Sequence, residues 1–353
     1  MKRKYILPTF LIVQIISLQL LSFFPEVVER FYSNGLYVWI SVFMRVVLGK
    51  IPFSVGDICY LISIYFVLKW FWNKRKSWRS QWKNNLLQMS SVLSIFYFCF
   101  HFFWGINYYR VPLFEKMAIS KDYSDADLLN FTAKLITKTN AIQHEITKND
   151  SLKVEFPYSK KQVFTGNSKG FQSLATLYPY FDYSNPSVKK SIISLPLTYM
   201  GFGGYLNPFT NEAQVNYLGP MYNFPTTTCH EMAHQLGYAS ESEANFIGFL
   251  ASIKNKDKFF QYSGYSFALR YCLHYWFVRD ETVLKQLLTT IHPGILANYK
   301  ESEQFWEEYE TFIDTGFRFF YDRFLKINQQ KEGIESYSRF VDLMVNYYKD
   351  KAL

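Results

Sequence analysis

Long apolar runs alternate with short basic segments over the first hundred residues. A helix of about 20 apolar residues crosses the hydrocarbon core of a bilayer, and three runs are suitable for this: residues 5–24, 55–72 and 86–104. The apolar segment at 36–48 is shorter and contains Arg45, so we expect it to lie in the membrane interface instead. The pattern predicts an α-helical membrane anchor of three spans over residues 1–105.

The first run also has the features expected at the start of a cleaved signal peptide. Cleavage of such a peptide requires small residues at the cut, whereas Pro25, Glu26, Val27 and Val28 follow here. We therefore interpret residues 5–24 as an uncleaved anchor.

The basic residues indicate how the anchor is oriented. The loop at 73–84 has five basic residues and no acidic one, and residues 2–4 are all basic. By the positive-inside rule, both segments are cytoplasmic. Three spans then place residues 106–353 outside the cytoplasm, whereas a fourth span at 36–48 would move the basic loop outside and break the rule.

Residues 106–353 are predicted to form one mostly helical α+β domain without repeats or long linkers. β-branched residues at 191–200 predict a strand, and 212–217 a second one, which gives a small sheet before the next helix. Apolar residues at three-to-four spacing predict helices at 124–146, 161–177, 240–254, 265–277, 281–291, 300–326 and 333–349. Ser124 is the predicted N-cap of the first of these helices.

The net charge of +9 does not indicate a nucleic-acid partner. Much of the excess positive charge lies in the two N-terminal basic clusters beside apolar runs, which fits a lipid bilayer as the partner. The four cysteines lack the CxxC spacing, so neither a disulfide framework nor a cysteine-ligated metal is indicated.

The segment that follows the predicted sheet contains His230, Glu231 and His234 in the order HExxH. Residues four apart lie on one face of a helix, so both imidazoles can reach a single metal ion, with Glu231 beside them. In zinc enzymes with this spacing the two His bind Zn²⁺ and the Glu is the general base. The sequence predicts one Zn²⁺ per chain.

A catalytic zinc ion usually has a third protein ligand. The longer HExxHxxGxxH pattern would supply a His at position 240, but Ser240 stands there. In a helix starting at Ser240, Glu243 shares a face with apolar residues, so we prefer Glu243 as the ligand. Glu241 and a more distant residue are the alternatives, and otherwise we expect Glu241 to support a ligand or remain solvated. A capping box between Ser240 and Glu243 is the structural alternative.

Other polar residues are candidates for supporting roles. Asn245 is a candidate for orienting a ligand. Glu212 and Asn216 are candidates for lining a cleft, although polarity at a strand edge also explains them. Side chains that could stabilise an oxyanion are Tyr238, Arg270, Tyr271, His274 and Tyr337.

The segment CHEMAHQLGYASESEANFIGFLA, with GFGGYLNPFTNEAQVN upstream and NYYR at 107–110, resembles an uncharacterised bacterial family described only as a domain of unknown function. The resemblance covers most of the chain and implies a membrane-anchored, zincin-like domain at the bacterial cytoplasmic membrane. ESEANF also resembles the ExEAN segment of ImmA/IrrE-type metallopeptidases, whose Glu before Ala-Asn is the third zinc ligand. That resemblance implies Glu243, although more residues separate this Glu from HExxH in those peptidases.

We therefore expect a multi-pass membrane protein with an extracytoplasmic zinc metallopeptidase domain that acts on a peptide or protein. A non-catalytic membrane protein with a structural zinc or a partner-binding domain is one alternative, but such a site has no use for Glu231. A zinc amidase acting on the cell wall is another, because HExxH defines the water chemistry and not the acyl group.

Overall fold

A computed structural model describes residues 3–330 and 338–353. The N-terminal region consists of helices: α1 (Ile6–Leu21), α2 (Pro25–Val27), α3 (Tyr37–Leu48), α4 (Val55–Lys74) and α5 (Trp82–Phe103). A π-helical stretch, Val28–Leu36, joins α2 to α3 in one continuous helix, Pro25–Leu48. Within the described residues, four helices are long and apolar enough to cross a membrane: Arg3–Leu21, Pro25–Leu48, Val55–Lys74 and Trp82–Phe103.

The helix Pro25–Leu48 is almost twice as long as the apolar segment predicted at 36–48, and it packs against the rest of the chain. Near its start Glu29 forms an ion pair with Arg110 at 2.8 Å. In its middle the Tyr37 hydroxyl donates to the carbonyl of Gln235 at 3.0 Å. Just after its end the carbonyl of Gly49 accepts from Lys189 at 3.0 Å. Contacts with residues beyond 105 therefore extend along the whole helix.

The remainder of the described chain is mostly helical. Its helices are α6 (Leu113–Lys116), α7 (Asp125–Thr147), α8 (Lys160–Ala175), α9 (Ser194–Tyr199), α10 (Phe224–Gln235), α11 (Glu241–Ile253), α12 (Lys258–Arg279), α13 (Glu281–Leu288), α14 (Pro293–Glu307), α15 (Phe312–Ile327) and α16 (Ser338–Tyr347). Short 3-10 turns occur at Arg3–Tyr5, Gly105–Tyr109 and Pro179–Phe181.

Helix α11 is at the centre of this part of the molecule. Every residue from Glu241 to Ile253 is buried, and α11 contacts α8, α10, α12 and α16. Gly248 allows α10 to approach closely, because a Cβ there would lie 2.9 Å from the backbone nitrogen of His230. The helix that follows the HExxH motif is therefore packed directly against it.

The sheet has three strands: β1 (Val188–Lys190), β2 (Gly204–Asn207) and β3 (Glu212–Val215). Strand β3 lies in the middle, parallel to β1 and antiparallel to β2. A small sheet before the HExxH helix is thus confirmed. However, β3 corresponds to the predicted strand at 212–217 and is central, not an exposed edge, so the outer strand beside the motif is β2.

The predicted strand at 191–200 is wrong, because most of this segment is helix α9. Strand β1 ends at Lys190, and Asp57 of α4 binds the two residues that follow it. Its carboxylate accepts from the Ser191 hydroxyl at 3.0 Å and from the Ile192 N–H at 2.6 Å. A contact with a residue more than 130 positions away therefore ends β1.

Most predicted helices agree with the structure. Ser124 caps α7 in a capping box with Asp127. The helix predicted at 300–326 is instead two helices, α14 and α15, because the Thr311 side chain accepts from the Ile313 N–H and starts a new helix. The helix predicted at 333–349 corresponds to α16, and the part of that prediction at 333–337 lies outside the described residues.

Candidate metal centre

The two imidazoles of the HExxH motif converge near the end of α10. Their Nε2 atoms are 3.1 Å apart. The Nδ1 of His230 is 2.8 Å from Asn245 Oδ1, and the Nδ1 of His234 is 2.7 Å from the carbonyl of Tyr238. Since both partners are acceptors, each Nδ1 carries a proton and donates it, which leaves the Nε2 lone pairs for a metal.

Glu241 at the start of α11 is the carboxylate that faces both imidazoles. Its oxygens lie 3.1 Å from His230 Nε2 and 3.8 Å from His234 Nε2. Tetrahedral zinc with bonds of about 2.0–2.1 Å places its ligand atoms roughly 3.3 Å apart. These two imidazoles and this carboxylate therefore fit a zinc ion as a three-ligand set.

Glu243 lies elsewhere, and the prediction that it stands beside the histidines is wrong. Its carboxylate accepts the backbone N–H of Leu113 at 2.6 Å, on the side of α11 that faces Arg110 and Lys116. Helix α11 is buried on all sides, so an apolar neighbour of Glu243 does not identify the side that meets α10. The capping-box alternative does not hold either, since Ser240 makes no side-chain cap hydrogen bond.

The position of Asn245 indicates which carboxylate of α11 faces the imidazoles. It is the predicted orienting residue, and the structure places its side chain on His230. Residues four apart share a helix face, whereas residues two apart do not. If Asn245 faces α10, then Glu241, one turn earlier, faces α10 as well, and Glu243 does not.

Glu231 lies beside the histidines and is 3% exposed. It can offer a carboxylate oxygen within 4.8 Å of a ring nitrogen of each histidine. Its Oε2 has no hydrogen-bond partner among the described residues. Burial raises the pKa of Glu231 to about 7, against the lowering effect of the two imidazoles. A carboxylate with a pKa near neutrality is suited to accept and return a proton.

Charge is coupled within the ligand set. Burial raises the pKa of Glu241, but hydrogen bonds and attraction to the two imidazoles hold it well below its usual value. Burial lowers the pKa of His234, yet Glu241 raises it to about 9 overall. In the metal-free protein a proton on His234 therefore neutralises Glu241, in the place that a cation would take.

A cavity of about 1410 Å³ opens onto these residues, and its walls come from distant parts of the chain. Of the predicted cleft and oxyanion residues, Asn216, Tyr271 and His274 line it. Tyr337 lies outside the described residues. Two of the five candidate oxyanion donors, Tyr271 and His274, therefore lie on the wall of the cavity that also contains the HExxH residues.

Three predicted residues have other partners. The Tyr238 ring packs under the Arg110 guanidinium, 4.2 Å from its centre. Arg270 donates to Tyr222 and Ser302. Glu212 accepts the backbone N–H of Gly56 at 2.6 Å and that of Val55 at 3.2 Å, so it caps α4. These contacts explain the three side chains without a role at the metal centre.

Two residues that were not predicted from the sequence contact the candidate ligands. The Tyr321 hydroxyl on α15 donates to Glu241 Oε1 at 2.6 Å. The Trp104 Nε1, just after α5, donates to the carbonyl of His234 at 3.1 Å. Neither lies near the motif in sequence, so local spacing carries no signal for them.

Comparison with known proteins gives one match. The family model described as "Protein of unknown function (DUF3810)" matches residues 32–345. No curated protein and no solved structure matches.

Proposed function

The chain belongs to the family described as a protein of unknown function (DUF3810), and from its own site we propose a membrane-anchored, zinc-dependent metallopeptidase. The observation that carries this proposal is the convergence of His230, His234 and Glu241, with Glu231 beside them, whose Oε2 has no hydrogen-bond partner in the part of the chain that the structure describes. A structural zinc site is closed by four protein ligands and has no use for a buried base, whereas this site has three candidate ligands and Glu231, whose pKa is raised to about 7.

The residues have distinct roles in hydrolysis. His230, His234 and Glu241 would hold the ion, and bound Zn²⁺ supplies Lewis acidity that lowers the pKa of water to about 7. Glu231 accepts a proton from the attacking water and passes it to the leaving amine. The water oxygen bonds to the carbonyl carbon and the C–N bond breaks, which leaves a carboxylate and an amine. Tyr271 and His274 are positioned on the cavity wall to donate to the oxyanion.

Strand β2 supports a peptide as the group that is cleaved. It is one of the two outer strands of the described sheet, and Gly204, Tyr205 and Leu206 line the cavity. A Cβ on Gly204 would lie 2.7 Å from Glu231 Oε1, so the strand runs directly beside the proposed base. An extended peptide paired with β2 would thus place its backbone next to Glu231.

For the anchor we propose three spans, α1, α4 and α5, with Pro25–Leu48 lying along the domain. A spanning helix of this length would have ends about 35 Å apart on opposite sides of the bilayer. Instead, Glu29 near one end contacts Arg110, and Gly49 past the other contacts Lys189. Arg45 is buried against the Tyr183 ring and does not face hydrocarbon. The basic loop at 73–84 then stays cytoplasmic and the metal centre lies outside.

The test uses the full chain in lipid nanodiscs, loaded with zinc and incubated with a peptide library read out by mass spectrometry. Glu231→Gln should retain near-stoichiometric zinc and lose at least about 100-fold in hydrolysis, because it cannot accept a proton. Glu243→Gln is the matched control, a buried carboxylate of α11 that faces away from the imidazoles, and should still cleave.

Two outcomes would contradict the proposal. Undiminished hydrolysis by the Glu231→Gln variant would refute the assignment of Glu231 as the general base. Purified wild-type protein that takes up no zinc, measured by elemental analysis, would indicate a non-catalytic, partner-binding domain instead.

A further inference from the structure

The cavity at the metal centre continues along α5 toward the middle of that helix. Its lining includes Trp104, just beyond α5, and Leu93, eleven residues earlier. At about 1.5 Å per helical residue this is a depth of roughly 16 Å. If α5 crosses a bilayer, as proposed above, the cavity reaches from the headgroup level well into the outer leaflet.

The deep part of the cavity is apolar and faces lipid. Leu93, Phe96 and Phe100 of α5 line it. Leu93 and Phe96 are also 53% and 52% exposed, so the same side chains belong to the outer surface of the helix. A molecule dissolved in the bilayer could therefore enter sideways, without passing through water.

Helices α4 and α5 leave room for such a molecule. Near their connecting loop, Trp70 donates to Gln88 and joins the two helices at 3.2 Å. Toward the domain, the Phe209 ring inserts between them, 6.2 Å from the Tyr60 ring and 5.1 Å from the Phe96 ring. The loop between β2 and β3 thus wedges the helices apart beside the cavity.

Helix α15 forms the opposite wall and places the mouth of the cavity at the bilayer surface. Its Phe324 packs on Phe100 of α5 at 6.1 Å between ring centres, and Tyr321 on the inner side reaches Glu241. Phe319 and Phe320 are 66% and 60% exposed. Continuity with α5 identifies the bilayer as the cover of this apolar face.

The apolar depth favours a hydrocarbon chain over a polypeptide. A peptide backbone beside Leu93 and Phe96 would lose the water partners of its N–H and C=O groups. An acyl chain has no such groups and gains by burial against these side chains. At the end of the cavity away from the candidate metal centre, the α5 side chains Leu93, Phe96 and Phe100 form an apolar lining.

We propose that the substrate is acylated. Its hydrocarbon chain lies along α5 from Phe100 to Leu93, and the amide that is cleaved, which is close to the acyl chain in the substrate, lies at Glu231. This inference rests on the proposed peptidase function and specifies its substrate class. The bilayer holds the substrate at the mouth of the cavity, and β2 pairs with the short polar segment between the chain and the cleaved bond.

The experiment uses an N-palmitoyl hexapeptide with a diazirine at the far end of the chain, and the full-length Glu231→Gln variant in nanodiscs. This variant makes labelling independent of turnover. Photolabelling mapped by mass spectrometry should concentrate on α5 around Leu93 and Phe96, and unlabelled palmitoyl peptide should compete. Leu93→Trp, which fills the groove, should weaken that competition about tenfold, the equivalent of two buried methylenes.

Val92→Trp is the matched control, because Val92 is the neighbouring residue, is 64% exposed and points away from the groove. It should not alter labelling. Labelling spread evenly over lipid-facing residues, or equal effects of the two Trp variants, would overturn the inference. So would stronger competition by a transmembrane peptide with the same polar segment.

Turnover distinguishes this inference from the proposed function. Wild-type protein that cleaves the hexapeptide equally well with and without its palmitoyl chain would refute the acylated substrate and leave the peptidase intact. Focused labelling at α5 without any cleavage by the wild type would refute the peptidase.

Discussion

The first turn of α11 presents two buried carboxylates to two different regions of the molecule. Glu241 faces α10 and meets both imidazoles, whereas Glu243 accepts the backbone N–H of Leu113 beside Arg110. Residues two apart are rotated by about 200° around a helix. One face of α11 thus contributes to the candidate metal centre, and the other binds the backbone of Leu113.

The two regions differ in how they compensate a buried negative charge. At Glu241 the compensation comes from two imidazoles, which a cation can convert into a ligand set. At Glu243 it comes from a backbone N–H and the Arg110 charge, and burial still leaves the pKa of Glu243 raised. The partners, and not the burial, determine which carboxylate is a candidate ligand.

The largest expected effect is on zinc affinity. Glu241→Gln removes a charged ligand and should weaken zinc binding by more than the roughly 100-fold that loss of a supporting hydrogen bond causes. Glu243→Gln, two residues away, should leave zinc affinity unchanged. Competition with a chromogenic chelator measures both. A loss in the Glu243 variant alone would restore the original sequence prediction and reverse the comparison.

The next effect concerns the residue that shares the face of Glu241. Asn245→Ala removes the acceptor for His230 Nδ1, so the ring loses its orientation and zinc affinity should fall about 10 to 100-fold. Asn255→Ala is the control, because Asn255 is also buried but donates to the carbonyl of Gly166. Equal affinities of the two variants for zinc would contradict the role of Asn245.

The contrast between local and distant contacts also explains what the sequence could predict. His230, Glu231 and His234 are set by spacing within one helix, so their arrangement was predictable. The capping box at Ser124 is local in the same way. The small sheet was predicted, but its first strand was misplaced because Asp57, distant in sequence, ends it.

The cavity walls illustrate the opposite case. Phe100 follows from an apolar run and Phe324 from a helical pattern, yet their contact across more than 200 residues has no local signature. The break between α14 and α15 is similar, since both helices have apolar residues at the same spacing and only the Thr311 cap separates them. Tertiary contacts determine these features.

A smaller effect tests the structural side of α11. Glu243→Ala leaves the Leu113 N–H without its acceptor, and an unsatisfied buried donor costs about 1–3 kcal/mol. The free energy of unfolding should fall by that amount, seen as a lower midpoint of thermal unfolding in detergent, while zinc content is retained. Glu243→Gln keeps an oxygen that can accept from the Leu113 N–H, so its free energy of unfolding should fall less. Equal destabilisation by both substitutions would show that the charge matters more than the hydrogen bond.

The last effect is the pH dependence of zinc binding, which distinguishes the two carboxylates without changing the fold. Burial lowers the pKa of His234, but Glu241 raises it to about 9, so below that pH zinc must displace a proton from His234. Apparent affinity should rise by about tenfold per pH unit between pH 7 and 8 and level off above pH 9. Titration calorimetry in two buffers of different ionisation enthalpy should detect one released proton.

The Glu243→Gln variant is the control and should retain this pH dependence, because the partner of Glu243 is Leu113. If this variant released no proton on binding zinc, the protonation of His234 would depend on Glu243 and not on Glu241, which would contradict the comparison.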